Sequence, residues 1–309
     1  MYILLDVLIP VFMIIGLGYI CVWVKYFDHN LINALLKFTQ NFAIPVLLFK
    51  GMSEINLLQT FEPRLLTTFY AGATSGFIFG LLGARYIFSR GWEDCVVIGF
   101  CCLFSNSLML GLAITERAYG AEALQANFAI VALHAPFCYG LGITAMEIVR
   151  NDGKNPLKML RNILDAMFKN ALVMGIMGGF FVNFLQINLP GALQTTIDMI
   201  AAISLTVALF GMGGVLYRYR PAGDIGVLVM VGFISLLLHP VIVWSIGKAV
   251  ELDVESFRSA VLTSAMAPGI NAYIFANIYN CSRRIAASAV LLTTTISLLT
   301  IWLWLIILP

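Results

Sequence analysis

The stretch Ala267-Pro268-Gly269-Ile270-Asn271 lies near the middle of an apolar segment that is long enough to cross a membrane. Proline lacks a backbone N–H and its ring collides with the preceding helical turn, while glycine allows backbone angles that other residues avoid. We therefore expect the helix to stop and restart here. Lipid offers no hydrogen-bond partners, so the freed backbone groups must be buried in protein or line a cavity.

A second apolar segment, half a chain earlier, is interrupted by Ser105-Asn106-Ser107. At 1.5 Å per helical residue, Asn106 and Pro268 both fall near the middle of the bilayer. A single break could be an ordinary kink, because proline is common in membrane helices. Two breaks at matching depth, each with an asparagine, indicate a binding site.

The composition is that of an integral membrane protein. Of 309 residues, 61% are hydrophobic and 11% are charged, whereas soluble domains have roughly a quarter charged residues. The net charge of +2 and the absence of a basic cluster interleaved with aromatic residues argue against nucleic acid as a partner. The sequence has no phosphate loop, nucleophile elbow or His-Glu-x-x-His motif, so we expect neither an enzyme nor a metal centre.

Ten apolar stretches are each about long enough to cross a hydrocarbon core of roughly 30 Å. The longest polar connection, 150–165, divides them into a first set of five (1–149) and a second set of five (166–309). The segments are 2–24, 30–50, 65–88, 94–115, 123–149, 166–187, 190–217, 224–248, 256–280 and 285–308.

The distribution of basic residues predicts the orientation. Twelve of the eighteen Lys and Arg residues lie in the connections after segments one, three, five, seven and nine. By the positive-inside rule this side is cytoplasmic, which puts both termini on the non-cytoplasmic side. We expect a bacterial inner membrane location, with the lipid bilayer as the surroundings of the whole chain.

An odd number of helices in each half requires the two halves to have opposite topology. Pro45-Val46-Leu47-Leu48-Phe49 is similar to Thr206-Val207-Ala208-Leu209-Phe210 at a spacing of 161, and Asn106 and Asn271 are 165 apart. The agreement of the two spacings favours two inverted five-helix repeats, an architecture that many secondary transporters share.

Four motifs, in this order, resemble the auxin efflux carrier family, whose bacterial branch includes proteins described as malonate or organic-acid permeases. They are Ile44-Pro45-Val46-Leu47-Leu48-Phe49, the stretch from Phe104-Ser105-Asn106-Ser107 to Gly111-Leu112-Ala113, Leu209-Phe210-Gly211-Met212-Gly213, and Ala267-Pro268-Gly269-Ile270-Asn271-Ala272. The resemblance covers nearly the whole chain.

The resemblance implies a ten-helix all-α carrier related to bile-acid sodium symporters and cation/proton antiporters. In that fold segments four and nine cross as broken helices. Residues 1–60 and 166–218 would form a scaffold, through which we expect a homodimer, and 65–149 and 224–309 would form a moving transport domain. One motif departs from the family, because Gly111-Leu112-Ala113 stands where a Gly-x-Pro motif is usual. We therefore expect segment four to be less sharply broken than segment nine.

A restarted half-helix presents unpaired amides and a positive dipole end, which attract a carboxylate. We expect Asn106, Asn271 and the backbone amides around Ser107 and Gly269 to hold the substrate. The full set of candidate substrate-binding residues is Ser105, Asn106, Ser107, Gly111, Pro268, Gly269 and Asn271.

Titratable residues inside the membrane are candidates for ion coupling. His134 and His239 lie in the predicted transport domain, and Asp198 lies in the scaffold, 161 residues after Lys37. The alternative for each histidine is a buried ring that bonds a neighbouring carbonyl, and Lys37 is close enough to a helix end to snorkel. The coupling ion is left open between H+ and Na+, and no other cofactor is expected.

The sequence therefore predicts a secondary active transporter of small organic anions that works by alternating access. Its substrates would be mono- or dicarboxylates such as malonate, or auxin-like acids. One alternative is sodium-coupled uptake, with backbone carbonyls at the breaks as cation ligands. Another is a membrane sensor or channel that binds a ligand without coupled transport.

Overall fold

The computed structural model describes residues 4–55, 62–150, 171–219 and 223–309, and every regular element in these ranges is helical. The all-α prediction is confirmed for this part of the chain. Its helical stretches that are long and apolar enough to cross a membrane are Asp6–Trp23, His29–Glu54, Pro63–Tyr86, Ala121–Arg150, Gly191–Leu216, Ile225–Ala249 and Arg283–Ile307.

The helices follow the order of the predicted segments. The first half contains α1 (Ile9–Trp23), α2 (His29–Phe38), α3 (Ile44–Glu54), α4 (Pro63–Tyr86), α5 (Trp92–Leu103), α6 (Leu112–Tyr119) and α7 (Leu124–Arg150). The second half contains α8 (Ala171–Phe184), α9 (Gly191–Leu216), α10 (Ile225–Phe233), α11 (His239–Ala249), α12 (Val254–Ser264), α13 (Ile270–Tyr279) and α14 (Arg283–Ile307). Short π-helical turns, Thr39–Ala43 and Ile234–Leu238, join α2 to α3 and α10 to α11.

Segments four and nine are both broken, as predicted. The fourth consists of α5, an extended stretch, a π-helical turn at Ser107–Gly111, and α6. The ninth consists of α12 and α13, separated by residues 265–269. Apart from Arg150, the predicted connection 150–165 lies outside the described residues, and so does the beginning of segment six, 166–170.

Glycines allow two pairs of helices to pack with their backbones in close contact. A methyl group at Gly18 of α1 would overlap the carbonyl oxygen of Phe210 in α9. In the same way, a methyl group at Gly179 of α8 would overlap the carbonyl oxygen of Phe49 in α3. Such close approach is typical of small residues at membrane helix interfaces.

The Gly72, Gly76 and Gly80 stripe of α4 faces the protein interior. An added Cβ at Gly76 would lie 2.8 Å from the carbonyl oxygen of Cys102 in α5, and one at Gly80 would lie 2.7 Å from the Cys102 sulfur. These contacts are tight packing between α4 and α5.

Charged side chains join several helices at one end of the molecule. Arg150 at the end of α7 donates to Glu93 of α5 at 2.8 Å and to the Tyr279 carbonyl of α13 at 2.9 Å. Burial raises the pKa of the Cys281 thiol in the α13–α14 connection, and the thiol lies 3.1 Å from Glu93. Asp224, between α9 and α10, lies at the same end of the molecule and forms an ion pair with Arg90 at 2.9 Å.

Both chain ends meet at the other end of the molecule. Arg117 of α6 donates to the Asp6 carbonyl at 2.6 Å. Arg258 of α12 donates to the Pro309 carbonyl, also at 2.6 Å. Asp6, near the start of the described chain, and Pro309 at its end therefore contact α6 and α12, one helix from each of the two broken segments.

Candidate functional site

The two breaks are joined to each other by backbone hydrogen bonds. Ser105 and Pro268 form an antiparallel bridge, in which the Asn106 amide donates to the Ala267 carbonyl at 2.8 Å and the Gly269 amide donates to the Phe104 carbonyl at 2.9 Å. Each extended stretch thus satisfies backbone groups that the other has lost from its helix. This reciprocal pairing is how non-helical backbone is tolerated inside a membrane protein.

Asn106 is buried beside this bridge, with 7% of its surface exposed. Its side-chain amide nitrogen lies 3.1 Å from the sulfur of Met212 in α9. A thioether is a weak acceptor. Asn106 would therefore form a stronger hydrogen bond with a bound carboxylate than the bond to Met212 that it would give up.

Asn271 is oriented by a residue that the sequence analysis missed. The hydroxyl of Tyr139 in α7 donates to the Asn271 side-chain oxygen at 3.2 Å. This bond occupies an acceptor and leaves the two N–H donors of the amide for a ligand. Tyr139 therefore positions Asn271 as a donor. An aromatic residue in an apolar helix gave no signal for this role.

Among the backbone amides around Ser107 and Gly269, those of the two residues themselves are already bonded. The Ser107 amide donates to the Ser105 carbonyl at 2.8 Å, and the Gly269 amide closes the bridge. The amides that follow them, those of Leu108 and Ile270 at the starts of the two restarted helices, have no backbone acceptor among the described residues. Neither restarted helix has a side-chain cap.

Two expectations about the breaks need correction. Gly269 has ordinary extended angles, φ −76° and ψ 165°, so its position does not require glycine's conformational freedom. Segment four is fully interrupted although Ala113 replaces the usual proline, because the bridge holds its extended stretch. The Ser107 hydroxyl donates to the Ser105 carbonyl at 3.1 Å, and the Gly111 amide to the Asn106 carbonyl at 3.0 Å.

A cavity of about 510 Å³ opens beside the bridge, a size typical of small-molecule sites. The two breaks and α7 contribute one wall, with Ser105, Asn106, Ser107, His134, Gly269 and Asn271. Further lining residues come from the α2–α3 turn, α3 and α8, including Gln40, Asn41, Leu48 and Ile176. Gly111 and Pro268 support the breaks but do not line the cavity.

Comparison with known proteins assigns the chain to a family. The family model described as "Membrane transport protein" matches residues 3–305. The chain belongs to this membrane transport protein family. It is 24% identical to the uncharacterized transporter YfdV of Escherichia coli K12, over 96% of this chain and 95% of that protein. It is 21% identical to auxin efflux carrier component 8 of Arabidopsis thaliana, with the same coverage of each chain.

His134 is the ion-coupling candidate that this transporter brings to the cavity. Its ring nitrogen Nε2 lies 3.1 Å from the Ser105 carbonyl, and its ring packs edge-on against Phe104 with centroids 4.6 Å apart. The histidine is 4% exposed. It therefore contacts the bridge directly. This contact agrees with a role in ion coupling, and it agrees equally with the alternative of a buried ring that bonds a neighbouring carbonyl.

His239 and Asp198 lie away from the cavity. His239 packs against Phe69, with ring centroids 5.9 Å apart, and its Nε2 has no hydrogen-bond partner among the described residues. Asp198 of α9 forms an ion pair with Lys50 of α3 at 2.5 Å. The sequence did not reveal this pair, because the two residues are far apart in the chain.

The position of Tyr139 leads to a testable prediction. We expect Tyr139→Phe to raise the KM for substrate about three- to tenfold, because Asn271 loses the bond that orients it, worth about 1 kcal/mol. The maximal rate should change less. Tyr139→Phe keeps the ring packing, so initial uptake rates in proteoliposomes report the hydroxyl alone. An unchanged KM would exclude the positioning role.

Proposed function

We propose that this protein is a secondary active transporter of small organic anions, mono- or dicarboxylates such as malonate or auxin-like acids. One observation carries the proposal: two uncapped helix starts and two asparagine amides meet at one cavity beside the paired breaks. Helix N-termini and amide donors together form an anion site. They do so without the cost of burying a cationic side chain.

The proposed mechanism is alternating access. Residues from both the proposed scaffold, 1–60 and 166–218, and the proposed transport domain, 65–149 and 224–309, line the cavity. A site at such a boundary changes its access when one part moves against the other. The bridge between the breaks keeps both halves of the anion site in the moving part.

The packing supports ten helices in two inverted repeats. The contact of Gly18 with Phe210 and the contact of Gly179 with Phe49 are the same contact with the halves exchanged. The glycines are 161 residues apart (179 − 18), and so are the phenylalanines (210 − 49). This is the spacing between the Pro45 and Thr206 motifs, and a pseudo-twofold relation between the halves would produce it.

We propose a bacterial inner membrane location with both termini outside. The contacts of Arg117 and Arg258 support termini that share one end, and the excess of basic residues assigns the opposite end to the cytoplasm. Impermeant thiol labelling of a cysteine introduced within 151–165, in a cysteine-free background, tests the orientation. Labelling from outside intact cells would reverse the topology.

We propose that His134 couples transport to a proton, with a sodium-driven carrier as the rival. The predicted variant is His134→Gln, which can still donate to the Ser105 carbonyl but cannot carry a proton. We expect substrate exchange within about threefold of wild type and accumulation driven by a proton gradient reduced at least tenfold. Accumulation that persists in the variant would place the coupling site elsewhere, and accumulation driven by Na+ alone would favour the rival.

A ligand-binding sensor or channel is the second class of function. A sensor or channel differs from a secondary active transporter in that it would bind the ligand without accumulating it against a gradient. The words "transporter" and "auxin efflux carrier" in the names of the two relatives favour a carrier.

A homodimer through the scaffold helices remains part of the proposal, and cross-linking in membranes tests it.

The experiment for the function as a whole is uptake by the purified protein in proteoliposomes. Proton and sodium gradients are imposed separately, and radiolabelled malonate, succinate, butyrate and indole-acetate are the probes. Saturable accumulation of at least one carboxylate is expected. Absence of saturable flux for every carboxylate, with the protein folded and inserted, would overturn the proposal.

A further inference from the structure

Two helices that line the cavity continue past it towards the end of the molecule where both chain ends meet (the termini end). Along α3, Leu48 lines the cavity and Gly51 follows one turn later. Along α7, Val131 lines the cavity and Phe128 lies one turn earlier, towards the start of the helix. Gly51 and Phe128 are buried but are not among the lining residues. They therefore lie just beyond the cavity, between it and the termini end.

Gly51 and Phe128 pack directly against each other at this position. A Cβ added at Gly51 would lie 2.5 Å from Cε2 and 2.7 Å from Cζ of the Phe128 ring. Carbon atoms in contact are roughly 3.5–4.0 Å apart, so the ring occupies the space that a side chain at position 51 would need. Phe128 is only 6% exposed. Its ring therefore fills the gap between α3 and α7 beside the cavity.

A second contact at the termini end joins the same two parts of the chain. Arg117 of α6 donates through Nη2 to the Asp6 carbonyl at 2.6 Å and through Nε to the Val7 carbonyl at 3.3 Å. Because the guanidinium is a rigid fork of donors, two such bonds fix its position. Arg117 and Phe128 belong to the proposed transport domain, and the residues that they contact here belong to the proposed scaffold. Both contacts must break before the boundary can open at this end.

Polar contacts at the opposite end of the molecule are arranged differently. Arg90 pairs with Asp224 inside the proposed transport domain. Arg218 donates to the His29 carbonyl at 2.7 Å inside the proposed scaffold. Each of these bonds joins helices of one domain, so a movement of one domain against the other would leave them intact.

We propose that Phe128, packed on Gly51, and the Arg117 bonds together form a gate that closes the cavity towards the termini end. This inference rests on the proposed function, because it takes the two domains to move against each other. When they separate at this end, the ring leaves Gly51 and Arg117 exchanges the two carbonyls for water. The structure described here is then the state that is closed at the termini end.

The test measures access to the cavity from the termini side of the membrane. Val131→Cys, in a background without the native cysteines, puts a thiol on the cavity wall one turn inside the gate. A small membrane-impermeant methanethiosulfonate is applied to this side, in cells or in inside-out vesicles as the orientation requires. We expect slow modification when the gate residues are wild type, because the closed gate separates the thiol from the reagent.

Gly51→Ala should increase the modification rate at least about tenfold, because its methyl group overlaps the Phe128 ring and overpacking disfavours the closed state. Gly140→Ala is the matched control on α7. A Cβ added at Gly140 meets no atom of the described residues within 4 Å, so the rate should stay within about twofold of that with wild-type gate residues.

A compensating variant distinguishes a gate from a general loss of structure. Gly51→Ala combined with Phe128→Leu should return the rate to within about threefold of that with wild-type gate residues, because the smaller side chain leaves room for the added methyl group. Size-exclusion profiles of both variants would be compared with that of the wild-type protein.

Arg117→Ala tests the polar part of the gate, with Arg258→Ala as its control. Both arginines donate to a backbone carbonyl at 2.6 Å at the same end of the molecule. The bond from Arg258 to Pro309 lies within the proposed transport domain, whereas the bonds of Arg117 cross the boundary. Arg117→Ala should therefore increase the modification rate about tenfold, and Arg258→Ala should leave it unchanged.

The outcomes separate the two proposals. If carboxylates are transported but neither Gly51→Ala nor Arg117→Ala changes the modification rate, the gate is overturned and the transporter stands. A high rate in Gly51→Ala that Phe128→Leu does not lower would also overturn the gate. Absence of saturable carboxylate flux in the folded wild-type protein would instead overturn the proposed function.

Discussion

Asn106→Ala combined with Asn271→Ala is expected to lower kcat/KM for the transported carboxylate at least about 100-fold. The two side chains reach the cavity from opposite breaks and present amide donors to one ligand. A hydrogen bond to a charged group contributes about 1.5–3 kcal/mol, and about 1.4 kcal/mol corresponds to a factor of ten. The loss of both bonds therefore leaves the helix-start amides to hold the anion alone.

The control for this result is Asn277→Ala. Asn277 lies on α13 like Asn271, but it is exposed and does not line the cavity, so its replacement should keep flux within about twofold. Initial uptake rates and size-exclusion profiles would be measured for all variants. A double variant that folds and transports at the wild-type rate would exclude the site between the breaks.

The two single variants should differ in thermal stability, because Asn106 and Asn271 have different hydrogen-bond partners in the protein. Among the described residues, the Asn106 side chain has only the Met212 thioether as a partner. Asn106→Ala therefore removes a donor without leaving a strong acceptor unpaired. Asn271→Ala also leaves the Tyr139 hydroxyl without its acceptor, which adds a cost within the protein. We therefore expect a larger loss of thermal stability for Asn271→Ala than for Asn106→Ala.

The sequence predicted where the two helices break, because Pro268 and the polar triplet at Ser105 have local physical consequences. It did not predict how the breaks are stabilised. The bonds from Asn106 to Ala267 and from Gly269 to Phe104 join residues about 160 positions apart, and no local preference encodes such a pairing.

The remaining differences also come from tertiary contacts. Asp198 was an ion-coupling candidate on its own, and its pairing with Lys50 depends on the packing of α9 against α3. Tyr139 is one of many aromatic residues in the chain, so its bond to Asn271 had no sequence signal. Gln40 and Asn41, which line the cavity, were missed as well, because the same helical stretch also contains polar residues such as Asn33 and Lys37.

Gly269→Pro is expected to abolish most transport, while Gly269→Ala is expected to be tolerated. An added Cβ at Gly269 would lie 3.5 Å from the Asn106 Cα, an ordinary van der Waals contact. The extended φ of −76° suits alanine and also the proline ring. The two variants therefore differ mainly in the backbone N–H, which alanine keeps and proline lacks.

The Gly269 N–H makes one of the two hydrogen bonds of the bridge. Without it the Phe104 carbonyl loses its donor at 2.9 Å, and an unsatisfied buried carbonyl costs about 1–3 kcal/mol. The proline ring carbon also replaces the hydrogen that points at this oxygen, so it pushes the two extended stretches apart. We expect Gly269→Pro to lower the apparent melting temperature and to reduce flux at least tenfold, with Gly269→Ala within about threefold of wild type. If both variants transported equally well, the pairing of the two breaks would be a feature of packing that transport does not require.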